Sequence, residues 1–203
     1  MSIRNRNKNR FFLAALMAIM IAVLAGTTGY AKEEAGPGAD LKAGNAASVN
    51  GVSIYVSKRT KTLSLKQNGV LIGEYPVSIG ASSSDGNKKV EGDMRTPSGQ
   101  FYVCTRNDKS VAYLALGLSY PGVEDAKRGF EEGIITQEQR DQIINANLTG
   151  QQPPWETALG GAIEIHGCRV PDGTTHGCVA VDNTVMDVLW SYCNLGVPVT
   201  IGP

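Results

Sequence analysis

The chain lacks any excess of charge: 19 basic residues stand against 19 acidic ones in 203 positions. Four of the basic residues (Arg4, Arg6, Lys8 and Arg10) and none of the acids fall in the first 31 positions, so the remainder carries four more acids than bases. A polyanion partner needs a basic face, and nothing in this composition points to nucleic-acid binding. Long apolar runs are missing too. The run Phe11–Ala25 is shorter than the roughly 20 residues of a spanning helix. No cysteine stands near its end, which argues against a lipid anchor there. Cysteine is scarce, with Cys104, Cys168, Cys178 and Cys193 spaced unlike a small disulfide scaffold. Repeats on the scale of a fold are absent, which argues against a solenoid.

The N-terminal order is informative. A basic stretch, Met1–Arg10, precedes the apolar run, and small residues lead to Gly29, Tyr30 and Ala31. This is the order of a secretory signal peptide over residues 1–31, with export to the periplasm or cell envelope as the consequence; an uncleaved anchor is the alternative. Residues 32–50 are rich in Gly, Ala and charge and read as a flexible linker. Gly51–Pro203 then has the length of one domain with one core.

Within that domain Val52, Ile54 and Val56 alternate with polar residues, as do the residues of Thr62–Lys66. Asn68-Gly69 between apolar runs predicts a hairpin, because both residues tolerate positive φ. A second pair of strand-like runs fills Val70–Ile79, a polar loop covers Ser82–Arg95, and Gln100–Thr105 reads as a short strand. Val123–Glu132 has helical composition with Gly133 as its stop, and Thr136 with Gln139 forms a capping box for a second helix reaching about Leu148. This helical hairpin is either padding on an edge or a lid or wall of a cleft. Strand character returns at Gly161–His166, a helix is expected over Asn183–Tyr192, and Val197–Ile201 makes a final strand. The fold class is mainly β with a helical insertion.

Both histidines and two of the four cysteines lie in Ile165–Asn183, IHGCRVPDGTTHGCVAVDN. A thiolate is a strong nucleophile, a neighbouring imidazolium favours it and can return its proton to a leaving amine, and glycine beside it admits substrate to the backbone N–H groups. His166 ends a strand twelve positions before Cys178, and a loop of that length can bring the two together.

HG followed by T-x-G-C resembles the signature of the L,D-transpeptidase catalytic domain, also called YkuD-type. Separated stretches agree in order: LSLKQNGVLIGEYPVSIG at Leu63–Gly80, DMRTPSGQFYV at Asp93–Val103, LGLSYPGVEDAKRGFEEG at Leu116–Gly133, and the segment after the cysteine. They resemble a subgroup with helices inserted before the catalytic histidine. The resemblance implies a β-sandwich-like mixed-sheet domain acting on peptidoglycan stem peptides, without a metal or organic cofactor. It implies Cys178 as nucleophile and His166 as base. Gly167 would orient the imidazole, Thr175 would brace the loop, Gly177 and the Cys178 N–H would form the oxyanion turn, and His176 would support. The acceptor of the acyl group would be an amine of another stem or of a wall-attached protein. With water as acceptor the enzyme would instead be an L,D-carboxypeptidase or hydrolase. Two positions depart from the pattern: Ala180 stands where better-known members carry Arg or Asn, and Cys168 where the subgroup more often has Gly.

Other readings exist for the same residues. His166, Cys168, His176 and Cys178 form H-x-C…H-x-C, zinc-type ligands that would make a binding module, although zinc knuckles usually leave two to four residues between ligands. A catalytically silent wall-binding domain is a third reading. Cys104 and Cys193 read as core residues, and Cys168 as either a packing residue or the partner of Cys178 in a reversible disulfide.

Overall fold

The computed structural model describes residues 49–203. The signal-peptide expectation, and the linker expectation up to residue 48, lie outside the described residues. A single eight-stranded sheet carries the domain: β1 (Val52–Ser57), β2 (Thr62–Gln67), β3 (Val70–Pro76), β4 (Gly99–Ser110), β5 (Tyr113–Leu118), β6 (Glu164–His166), β7 (Val179–Ala180) and β8 (Pro198–Gly202). Their spatial order is β3-β2-β1-β8-β4-β5-β6-β7. Antiparallel pairings dominate, but β1 with β8 and β6 with β7 run parallel, so the sheet is mixed. Among the described residues no helix is long and apolar enough to cross a membrane.

Local chemistry accounts for most elements. Asn68 (φ 50°) and Gly69 (φ 80°) turn β2 into β3 with both residues left-handed, matching the twist of the flanking strands. Val52, Ile54 and Val56 face inward, the last two opposite Leu65 and Leu63 of β2, and each is nearly or fully buried. Burying each such side chain is worth about 1.5–3 kcal/mol, so this two-strand face is a large part of the core. The core continues through Val103, Leu116, Leu118, Ile165, Val179 and Val181. Helix α3 (Asn183–Tyr192) covers it with Val185, Met186 and Leu189. Trp190 on the same helix is only partly buried, and the Arg106 guanidinium stacks on it at 4.0 Å.

Differences from the sequence reading have physical causes. The expected second strand in Val70–Ile79 does not form. Instead β3 ends at Pro76, and Ser78 and Gly80 make isolated bridges to Ala180 and Thr175. The strand expected over Gln100–Thr105 runs on to Ser110, because its polar distal half pairs with β5. Strand β5 itself was not expected: YLALGL has no alternation to mark it.

The helical insertion is α1 (Val123–Glu131) and α2 (Gln137–Leu148). The capping box at α2 is complete: the Gln139 N–H donates to the Thr136 hydroxyl at 3.2 Å and the Thr136 N–H to the Gln139 side chain at 3.0 Å. The pair encloses its own small core of Ala126, Ile135, Ile143 and Leu159. Buried tyrosines moor it to the sheet: the Tyr102 hydroxyl donates to the Gln151 carbonyl at 2.7 Å, and the Tyr120 hydroxyl to the Leu159 carbonyl at 3.0 Å. These anchors fix the segment Leu159–Ile163 that follows, and that segment enters the site described next.

Candidate active site

The register of β6 against β7 brings the two halves of the signature together. Ile165 pairs with Val179 and His166 with Ala180, and both Ile165 and Val179 are fully buried. Alternation then sends Glu164 and His166 to the opposite face of the sheet, with Cys178 and Ala180 beside them. The strand on the other side offers Gly117 opposite Glu164 and Ala115 opposite His166. Ala115 and Ala180 are small, and Gly117 leaves the space above it to the Thr105 hydroxyl and the Trp155 ring.

Cys178 is partly buried and lines a pocket of about 260 Å³ with His176, Lys88, Glu91, Gly92, Met94 and the segment Gly160–Ile163. The helical insertion anchors the segment that forms one wall of this pocket. The Cys178 thiol is turned to the Ala162 carbonyl at 3.5 Å rather than to the imidazole. Burial raises its pKa, the Glu164 main-chain N–H opposes this, the Glu164 carboxylate adds to it, and the Lys88 ammonium opposes it. The turn that aims the Ala162 carbonyl holds that residue at φ 50°, a conformation non-glycine residues seldom adopt.

His166 is fixed by its own neighbour. Nδ1 lies 2.7 Å from the Gly167 carbonyl oxygen, which can only accept, so Nδ1 carries the proton and Nε2 is left as the basic nitrogen. Gly167 is held tightly: its N–H donates to the Leu114 carbonyl at 3.2 Å, and a Cβ there would lie 2.6 Å from Asn183 Oδ1 and 2.9 Å from the Ala112 oxygen. The same Asn183 oxygen accepts the Cys168 N–H at 2.7 Å.

Thr175 ties the Cys178 turn. Its hydroxyl donates to the Cys178 carbonyl at 2.6 Å and accepts the Gly177 N–H at 3.1 Å, while its main chain bonds Ile79 and Ala81. The Gly177 N–H is therefore spent within the turn. The Cys178 N–H has no acceptor among the described residues and is free to meet an oxyanion. Gly177 sits at φ 141°, and a Cβ would fall 2.9 Å from the Arg95 oxygen, so both the backbone and the space require glycine. His176 is exposed on the pocket rim.

Several residues that sequence reasoning did not single out build the far wall. Lys88 is almost fully buried, and its ammonium donates to Asp93 Oδ1 at 2.8 Å and to the Val90 carbonyl at 2.9 Å. Asp93 also accepts the N–H groups of Lys89, Val90 and Arg95. Burial works to raise the Asp93 pKa, but the Lys88 ammonium and these N–H donors outweigh it and hold the carboxyl below the ordinary value. The acid in DMRTPSG was legible as part of a turn; its partner Lys88 was not. Asn183 closed the quoted motif without a role, and Glu164 carried no signal beyond its place two residues before the histidine.

The remaining cysteines separate. Cys193 is fully buried and Cys104 half-buried, with burial pushing both thiols up to about 12. Cys168 is exposed and all four are free. Arg169, next to Cys168, donates to the Val181 carbonyl, which puts Cys168 three or four register positions beyond Cys178, about 10–13 Å along the strand. That exceeds the Cα reach of a disulfide, so a Cys168–Cys178 bond would require the loop to rearrange. Among the described residues no three of His, Cys, Asp and Glu converge as a metal site, and the four zinc-type residues do not gather. A larger hollow of about 560 Å³, with Lys58, Arg59 and Lys61 on its wall, touches Thr174 but not Cys178.

The model of the L,D-transpeptidase catalytic domain matches residues 51–201. A search of curated proteins returns no match. Among solved structures, Bd1075 of Bdellovibrio bacteriovorus is 25% identical, with TM-score 0.48 over 75% of this chain and 48% of that one. The helical cell shape determining protein Pgp2 of Campylobacter jejuni is 20% identical, with TM-score 0.50 over 74% and 46%. L,D-transpeptidase 1 of Mycobacterium tuberculosis is 12% identical, with TM-score 0.43 over 75% and 62%. The chain spans about half the length of the first two and under two thirds of the third. The match over residues 51–201, on a mixed sheet whose β6 ends on the histidine of the signature and whose β7 begins directly after its cysteine, means that this chain belongs to the L,D-transpeptidase catalytic domain family.

Proposed function

We propose that the domain is a cysteine-dependent peptidoglycan L,D-transpeptidase, exported to the cell envelope and acting on tetrapeptide stems. The observation that carries the reading is the parallel pairing of β6 with β7, which sets Cys178 two register positions from His166, on the same face, at the edge of a pocket. The thiol turns from the Ala162 carbonyl toward Nε2 of His166 and gives it the proton. The thiolate attacks the carbonyl carbon of the third stem residue, a diamino acid, and the Cys178 N–H meets the oxyanion. The C–N bond to the terminal D-alanine breaks, and its amine leaves with the proton from His166. A thioester remains. An acceptor amine attacks it, loses a proton to His166 and restores the thiolate. That amine belongs to a neighbouring stem or to a wall-attached protein.

The test is mass spectrometry of purified tetrapeptide muropeptides incubated with wild type and Cys178→Ala. Wild type should release D-alanine and form crosslinked product, with a thioester adduct on Cys178. Full turnover by a correctly folded Cys178→Ala protein would refute the assignment, and tripeptide as the sole product would make water the acceptor.

A further inference from the structure

We propose that Glu164 is a positioning residue for the Cys178–His166 pair: its carboxylate, on the same sheet face and beside both, sets a negative charge against the reacting pair and fixes the pH range in which the pair works. The inference rests on Cys178 and His166 being nucleophile and base, and it deepens that reading.

The geometry is that of one short strand. Ile165 is fully buried, so Glu164 and His166 leave β6 on the other face, about two residue rises apart. Cys178 lies beside Glu164 on the β7 side, one step before Val179. On the β5 side the neighbour is Gly117, whose missing side chain leaves room for the Trp155 ring; a Cβ there would come within 2.8 Å of it. The indole therefore roofs Gly117, the direct β5 neighbour of Glu164.

Within this setting the carboxylate is half-buried, and among the described residues it makes no hydrogen bond and no ion pair. Burying a carboxylate without a partner is unfavourable, and burial raises the Glu164 pKa, with the His166 charge opposing. The titratable groups that face it are His166 from its own strand, Cys178 from the turn before β7, and Cys104 from β4. From the far wall Lys88 acts on Cys178 but is already bonded to Asp93. Among the described residues His166 is thus the one group beside Glu164 that can gain a positive charge, and that charge compensates the carboxylate.

The sign follows directly. A negative charge opposes loss of a proton from the neighbouring thiol, so it raises the pH at which Cys178 ionises. Glu164→Gln should move the acid limb of the kcat/KM profile to lower pH by about one unit, the scale of a single nearby charge. Glu164→Asp keeps the charge and should keep the wild-type acid limb. The rate of Cys178 carbamidomethylation against pH, followed by peptide mapping, should show the same displacement of the acid limb. That probe needs no stem peptide, so a shift without turnover would retain Glu164 and refute the substrate instead. An unmoved acid limb in a Gln variant with wild-type melting, or an Asp variant displaced as far as Gln, would overturn the proposal. Should Gln fail to fold, Glu164→Ala read by the same two profiles decides it: displacement of the acid limb to lower pH supports the role, and an unmoved limb refutes it.

Discussion

Replacing Thr175 by valine changes no shape and removes one oxygen, which isolates what the hydroxyl does for the Cys178 turn. Two hydrogen bonds disappear: donation to the Cys178 carbonyl at 2.6 Å and acceptance of the Gly177 N–H at 3.1 Å. Gly177 is buried, so its N–H is left without water as a substitute. Losing the bond to the carbonyl costs about 0.5–1.5 kcal/mol, and orphaning the buried Gly177 donor about 1–3 kcal/mol, which together suggest a loss of about 1.5–4.5 kcal/mol. At about 2–4 °C per kcal/mol for a domain of this size, melting should fall by roughly 3–18 °C. The main-chain bonds from Thr175 to Ile79 and Ala81 persist, so the loop should loosen at the Gly177–Cys178 end without detaching. Thr175→Ser keeps the hydroxyl and should melt within about 2 °C of wild type. Differential scanning calorimetry, with D-alanine release measured on the same samples, reads both effects. Coincident melting of the Val, Ser and wild-type proteins would show that the hydroxyl does not hold the turn.

The two histidines should separate kinetically: His166→Ala should lower kcat by about 10²-fold or more, as loss of an acid/base group does, and His176→Ala by much less, with the opposite order showing that the histidines are misassigned. Asp93 has a folded pKa below its unfolded value, so its stabilisation is complete above the ordinary carboxylate range and fades as pH falls toward the depressed value. Asp93→Asn should therefore melt lower near neutrality and converge on wild type in acid, and parallel melting curves across pH would contradict this. In the folded protein iodoacetamide at pH 8 should spare Cys104 and Cys193, whose thiols ionise near 12, as read by peptide mapping. Mild oxidation should leave Cys168 and Cys178 unlinked, and a mapped disulfide between them would reveal a loop rearrangement.

What the sequence disclosed was chemistry with local signatures. Asn68-Gly69 and Thr136 with Gln139 determine backbone geometry within four residues, and both appear as a turn and a cap. The cysteine and histidine stand out because histidine occurs twice in the chain. What remained hidden depends on distant pairing. Strand β7 has two residues and exists through its bonds to β6 and Ser78. The alignment of Glu164 with Cys178 is a property of register, and Lys88 joins the site because Asp93 folds the loop back over it. The tie from Asn183 to Cys168 spans fifteen positions and needs α3 to begin where it does.

The parallel pairing of β6 with β7 has a consequence for how such a domain can be altered. The bonds of the sheet set the spacing of cysteine and histidine, and the chain between them does not. The middle of that connection, Pro171–Thr174, is mostly exposed, and its inward ties run from Arg169 and Thr175 on its two sides and from the Val170 carbonyl, which accepts the Ser78 hydroxyl at 3.0 Å. Closing a longer loop costs only about 0.6 kcal/mol per doubling of its length. Insertions at Asp172-Gly173 could therefore reshape what lies above the pocket while the reacting pair keeps its separation. The segment is a natural place to graft a recognition element for a different acceptor.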